Sequence, residues 1–188
     1  MKSKIILIGG KKGAGKNHVS DILIEYLKSK GHTVDVTAFA DPMKDIISKS
    51  FGISLDEIEY MKNANDSAPI TITCEDRIVH TNMRELLQKF GTEAMQGVFG
   101  IKVWRNLCVE YIEQSDCEYV IVTDYRFPNE VIDDSLKVYI YNEEKGKIVD
   151  AHISENLLTE EDFDYTLDNS GKPSKDDINK LISDLNIF

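Results

Sequence analysis

Apolar positions along the chain alternate between two periodicities. "KIILI" at 4–8 is a continuous apolar run that stops at Gly9 and Gly10, as a strand buried on both faces does. From Gly15 to Lys30 the apolar residues Val19, Ile22, Leu23, Tyr26 and Leu27 recur at helical spacing, and Gly31 is placed to stop that helix. "HTVDVTAFA" then alternates Val34, Val36 and Ala38, which suits a second strand. Strand, glycine loop, helix and strand form a βαβ unit, and such units imply a parallel sheet.

The helical pattern returns at 41–51 with Met43, Ile46, Ile47 and Phe51. Residues 54–82 are less regular and read as two short helical or turn segments with a hairpin around "PITITCEDRIVH". Asn82 with Glu85 three residues on resembles a capping box. It opens a helix whose apolar side is Met83, Leu86, Leu87 and Phe90, with Gly91 placed to end or bend it. Trp104, Leu107, Cys108, Tyr111 and Ile112 mark a further helix. "EYVIVTD" at 118–124, "KVYIY" at 137–141 and "YTL" at 165–167 read as strands. Ser174 caps a last helix carrying Ile178, Leu181, Ile182 and Leu185. No repeat or linker divides the chain, so the pattern predicts a single α/β domain over 1–188.

Composition narrows the function classes. At 188 residues the chain can bury a sizeable core without disulfides or a structural metal. Its longest apolar runs are about five residues, far short of the ~20 a membrane-spanning helix needs, and no signal-peptide core precedes the first glycines. Cys74, Cys108 and Cys117 are odd in number and form no C-x-x-C pair, which suits reduced thiols in a cytoplasmic protein. The formal net charge is −11, with no basic stripe for a nucleic-acid backbone. Neither a nucleic-acid nor a membrane partner is expected. Lys16, Lys44, Arg84 and Arg126 stand out because each sits beside glycines, a proline or an apolar run.

"GGKKGAGKN" follows a strand and opens a helix, the context of a phosphate-binding loop. Gly10, Gly13 and Gly15 leave backbone N–H groups unobstructed, Ala14 and His18 lie within the same loop and first turn, and Lys16 reaches toward the phosphates. The hydroxyl residue usual after the lysine is replaced by Asn17. Its carboxamide oxygen could ligate Mg2+ directly or through a water, or the side chain could serve mainly the helix start. Asp124 ends a buried strand, where α/β sheets bind ligands and where a second metal-organising acid stands. Arg126, two residues on, suits a transferring phosphoryl group; the alternative is an arginine that pairs with Glu130 to brace the turn. Arg84 and Gln88 are four apart and share a helix face, which by spacing alone reads as solvated.

Together "TAFADPMKD", "RELLQKFGTE", "VTDYRFPNE", "HISEN" and "DYTLDNSG" resemble phage-type deoxynucleoside monophosphate kinases, small relatives of the nucleoside monophosphate and dephospho-coenzyme A kinases. The resemblance runs from the first strand to about Gly171. It implies a P-loop kinase fold: a central parallel sheet of about five strands flanked by helices, an acceptor-binding helical insertion at about 41–115, and a short lid at about 141–156. By that likeness Asp41 and Lys44 line the acceptor site, Arg84 and Gln88 hold the monophosphate, and Trp104 and Glu155 join them. His152 and Glu155 lie near the base of the lid, and Asn169 lies where such folds contact the donor adenine. The candidate lid offers Lys145 and Lys147 but no arginine, and Gln96 stands near the place where related chains carry one.

The resemblance implies a cytoplasmic enzyme of deoxynucleotide metabolism, using ATP and Mg2+ to phosphorylate deoxynucleoside 5′-monophosphates. Lys16, Asp124 and Arg126 would be its catalytic residues, and Asn17 and Asp124 its metal ligands. Two alternatives stand beside it: another small-molecule P-loop kinase, such as a dephospho-coenzyme A kinase, and a nucleotide-binding regulatory module without transfer activity. Similar kinases are often homodimers, but no interface is legible in this sequence.

Overall fold

The computed structural model describes residues 3–64, 69–74, 77–146 and 157–171, with positions 176, 179 and 183 of the C-terminal stretch. Two compact units are formed, one by Met1–Phe39 with Cys108–Phe188 and the other by Ala40–Leu107.

The first unit is built on a five-stranded sheet. Its strands are β1 (Lys4–Gly9), β2 (Val34–Thr37), β5 (Tyr119–Tyr125), β6 (Leu136–Tyr141) and β7 (Tyr165–Asp168), in the order β2-β5-β1-β6-β7. Every pairing is parallel. All five strands therefore end on one edge of the sheet, and the loops that follow them gather there. Helix α1 (Lys16–Ser29) makes the first crossover, and Gly31 follows it with φ 88°.

The apolar run of β1 reflects burial on both faces, as parallel sheets require. Ile6 and Ile8 pack with Val19, Leu23 and Leu27 of α1, with Tyr119 and Ile121 of β5, and with Val138 and Ile140 of β6. Ile5 and Leu7 face the other layer, with Val120 and Val122 of β5, Phe39, Cys108, Ile112 and Ile132. Burying each such side chain stabilises the fold by about 1.5–3 kcal/mol. A one-residue slip of β1 would exchange its two faces, so the register is strongly specified.

The second unit holds α2 (Asp41–Phe51), α3 (Leu55–Asn63), a two-stranded antiparallel hairpin of β3 (Pro69–Cys74) and β4 (Arg77–Asn82), and then α4 (Met83–Gln88). Ile47, Ile58, Met83 and Leu87 form its core, with Met43, Ile53, Met61, Ile70, Leu86 and Phe90 against them. A complete capping box stands at Ser54 and Glu57, where each side chain bonds the other's backbone N–H. The box expected at Asn82 is only half made. Asn82 accepts from Glu85 N at 2.9 Å, but the Glu85 carboxylate accepts from Thr81 Oγ1 at 2.9 Å and pairs with Lys89 at 2.8 Å.

Gly91, placed by the sequence to end or bend the helix, does not end it. The helix continues past α4 as a π-helix over Lys89–Gln96, followed by the single turn α5 (Gly97–Phe99). Tertiary packing explains the wide turns. Gly91 is buried, and a Cβ there would lie 2.7 Å from Met43 Sδ. Its carbonyl accepts from Trp104 Nε1 at 3.1 Å, taking an indole partner from α6 (Val103–Gln114). The expected last helix falls largely outside the described residues, although positions 176, 179 and 183 are helical.

Candidate functional site

The glycine loop leaves the C-terminal end of β1 and turns into α1 on three glycines of positive φ. These are Gly10 at 132°, Gly13 at 77° and Gly15 at 92°, values that favour glycine. A Cβ at Gly10 would also lie 2.5 Å from Ile140 O. Gly15 is the N-cap of α1 and no side chain caps the helix, so its first N–H groups are left to the loop. Ala14 is buried. Lys16 is 9% exposed, and its ammonium donates to Gly10 O at 2.7 Å and Lys11 O at 3.0 Å. The side chain thus lies back over the loop. Asn17 and His18 are exposed on the first turn of α1.

Asp124 and Arg126 come from the end of β5, which is β1's neighbour: Gly9 stands opposite Tyr125. Asp124 Oδ1 accepts from Phe39 N at 2.7 Å, joining the ends of β5 and β2. Arg126 lines a cavity of about 20 Å³ with Gly10, Lys11, Tyr125, Tyr139, Leu158 and Phe163. The structure thus places the arginine beside the glycine loop. Glu130 does brace the turn, but through the backbone: its Oε2 accepts from Arg126 N at 2.9 Å and Phe127 N at 3.0 Å. Burial, and then the charge of Asp124, push its carboxyl up to about 8. Tyr125 is pushed up to about 12 by burial and then by the charge of Asp162.

Asn169 follows β7 and is 8% exposed. Its Nδ2 donates to Ala14 O at 2.7 Å, so it reaches the phosphate loop from behind. Phe163 fills the space beneath Gly9, stacked edge-on to Tyr125 and tilted on Tyr139. Neither contact was visible in the sequence. The one available hint was the doubled glycine, since the loop motif needs Gly10 but not Gly9, and a glycine in a strand often marks close approach.

The second unit carries the acceptor candidates. Lys44 lies 3.3 Å from Asp41 Oδ1 and 3.6 Å from Glu59 Oε2. Arg84 is half-buried and Gln88 exposed, away from the Met83 and Leu87 core side as the spacing implied. Trp104 is 7% exposed with its indole N–H committed to Gly91 O, which makes it a support for the π-helix. His152 and Glu155 lie outside the described residues, as does most of the candidate lid.

The family model of deoxynucleotide monophosphate kinases matches residues 57–181, well over half of the chain. The chain belongs to this family. Membership in a kinase family implies a phosphotransferase that uses ATP, usually with Mg2+, on small-molecule substrates. The match begins after the glycine loop, so the loop geometry is an independent observation. No curated protein matches the chain. Among solved structures, that of TT1252 from Thermus thermophilus is similar at 15% identity and a TM-score of 0.52, covering 100% of this chain and 98% of that one. Shikimate kinase from Acinetobacter baumannii, in complex with shikimate, aligns at 16% identity and a TM-score of 0.44, over 98% and 93% of the two chains. The fold of this deoxynucleotide monophosphate kinase family member is the P-loop kinase fold, with its parallel five-stranded sheet. Among the described residues no helix is long and apolar enough to cross a membrane.

Proposed function

We propose that the chain moves the γ-phosphoryl group of ATP onto a deoxynucleoside 5′-monophosphate, giving the diphosphate. The loop carries the reading: three glycines of positive φ open α1, with the Lys16 ammonium laid across them. The family description supports the acceptor class, and the matched residues include Arg84, Gln88, Asp124 and Arg126.

Phosphoryl transfer asks for little covalent chemistry from a protein. It asks for alignment, charge neutralisation and exclusion of water. Gly10, Gly13, Ala14 and Gly15 present backbone to the donor phosphates, with His18 at the rim of the loop. Lys16 neutralises the donor's β and γ oxygens, and Arg126 stabilises charge on the transferring group. The acceptor oxygen is already anionic, so no strong general base is needed. Arg84 takes the acceptor phosphate, Gln88 its sugar or base edge, and Asp41 and Lys44 line that site. Trp104 serves by holding the π-helix. Asn169 lies on the donor-base side of the phosphate loop, with its carboxamide turned to Ala14 O.

Asn17 and Asp124 fit Mg2+ by their chemistry. Both offer oxygen, and this ion keeps several waters, so one or two protein oxygens suffice. One Asp124 oxygen is already oriented by Phe39 N–H. When bound, the ion adds positive charge at the phosphate oxygens.

An ADP-release assay across deoxynucleoside monophosphates, ribonucleoside monophosphates and dephospho-coenzyme A tests the reading. Deoxynucleoside monophosphates are expected to drive ADP release, and Lys16→Ala to lower kcat by about 10²–10³. Release driven by dephospho-coenzyme A alone, or by no monophosphate, overturns it.

A further inference from the structure

We propose that Asn169 is a positioning residue for the phosphate loop: its carboxamide N–H fixes the Ala14–Gly15 peptide and so aims the Gly15 N–H at the donor phosphates. The proposal rests on the kinase reading above but not on any contact with the donor base.

Asn169 is one of four buried polar or charged residues among those described, with Lys16, Ser20 and Thr37. Its Nδ2 donates to Ala14 O at 2.7 Å, across 155 positions of sequence. The other side of Ala14 is also held, since Ala14 N donates to Lys11 O at 3.1 Å. A peptide is planar and trans, with its C=O and N–H pointing oppositely. Holding Ala14 O toward Asn169 therefore turns the Gly15 N–H away from Asn169. A Cβ on Gly15 would run into Asn169 Nδ2, so the bare glycine is what lets the carboxamide lie against the loop.

The carboxamide is itself held from the backbone. Asn169 N donates to Tyr141 O at 2.8 Å, and Asn142 Nδ2 donates to Asn169 O at 3.1 Å. Glu143 N donates to Ser170 Oγ at 2.8 Å. The loop is thus tied to the ends of β6 and β7 together. Facing Nδ2 toward Ala14 O leaves Oδ1 buried without a partner. An apolar side chain would fill the same space without that penalty, so the N–H is the part of the side chain that earns its place.

The test uses full-length protein and two probes, ATP and inorganic tripolyphosphate, which has no base. Asn169→Asp keeps the shape and loses the donor; Asn169→Ala removes the carboxamide. Both variants are expected to weaken both probes by the same factor, about tenfold or more, and to leave the acceptor KM within about twofold. Weakening of ATP alone would make Asn169 a base contact and overturn the proposal. Unchanged binding of both, or an equal rise in acceptor KM, overturns it too. Should the variants fail to fold, NMR of the wild type decides. The Asn169 side-chain amide protons are expected to exchange slowly with solvent, and exchange as fast as an exposed asparagine's refutes the contact. Wild-type protein that binds neither probe refutes the kinase reading, and this proposal with it, whatever the NMR shows.

Discussion

Gly9 is a sensitive position although its backbone demands nothing special, since it is absent from the glycines of positive φ. A Cβ there would lie 2.5 Å from Phe163 Cε1, closer still to Cζ, and 2.9 Å from Tyr125 O. The ring cannot simply withdraw, because its centroid is 5.4 Å from that of Tyr125 and 5.1 Å from that of Tyr139. Gly9→Ala is an overpacking change in a tight site, expected to cost about 1–3 kcal/mol. In a chain of this size that lowers Tm by roughly 2–12 °C. Phe163→Leu removes the ring edge that the methyl would meet, so the double variant should recover about 1 kcal/mol relative to additivity. Recovery stays incomplete because Tyr125 O is unmoved. Phe163 and Arg126 line the same cavity of about 20 Å³. If a displaced ring also shifts the arginine, kcat should fall in Gly9→Ala and rise again in the double variant. Thermal melts and ADP-release kinetics of the four proteins complete the cycle. Strict additivity in both readouts would refute the idea that Phe163 is the reason for a glycine at position 9.

Glu130 gives a pH-dependent stability with a defined sign. Its native pKa, about 8, stands above the ordinary 4.5 because of burial and the Asp124 charge, so its contribution is full below about pH 4.5 and lost as pH rises through about 8. Wild type should lose on the order of a few kcal/mol more than Glu130→Gln between pH 6 and pH 9, read by denaturant unfolding at each pH; equal losses would show the carboxyl to be ionised throughout. Trp104→Phe keeps most of the packing but removes the indole's hydrogen bond to Gly91 O, and should destabilise by about 0.5–1.5 kcal/mol. If the π-helix supports the acceptor residues, acceptor KM should rise while ATP KM holds; a rise in both would mean general loosening.

Local features were legible in the sequence, and distant ones were not. The loop, α1 and the five strands follow from glycine spacing and apolar period, signals confined to a few consecutive residues. Helix α3 and the β3–β4 hairpin were only dimly marked, since Leu55–Asn63 is flanked by polar residues and the hairpin carries Ile78 and Val79 exposed. The π-helix had no local signature beyond Gly91. It depends on Gly91 meeting Met43 and Trp104, residues 48 and 13 positions away by numbering. The grip of Asn169 on Ala14 and the plug of Phe163 beneath Gly9 are of the same kind. Each is a contact made across the sheet edge where the strand ends gather, and no periodicity encodes it.

Asn17 shows how the two kinds of information combine. Sequence alone left it open as a metal ligand or as a residue of the helix start. The helix start is occupied by Gly15, with no side-chain cap, and Asn17 lies exposed one position into α1. A capping role would need its side chain at the N-cap, bonding an N–H two or three residues on, and that position is held by Gly15. Asn17 is exposed on the first turn, next to Lys16 and at the positive end of the α1 dipole. That placement suits a group that meets the donor's phosphates or their counterion. On the proposed reading, asparagine in place of a hydroxyl residue would change the reach and geometry of a ligand oxygen, while the backbone cradle formed on three glycines of positive φ stays as it is.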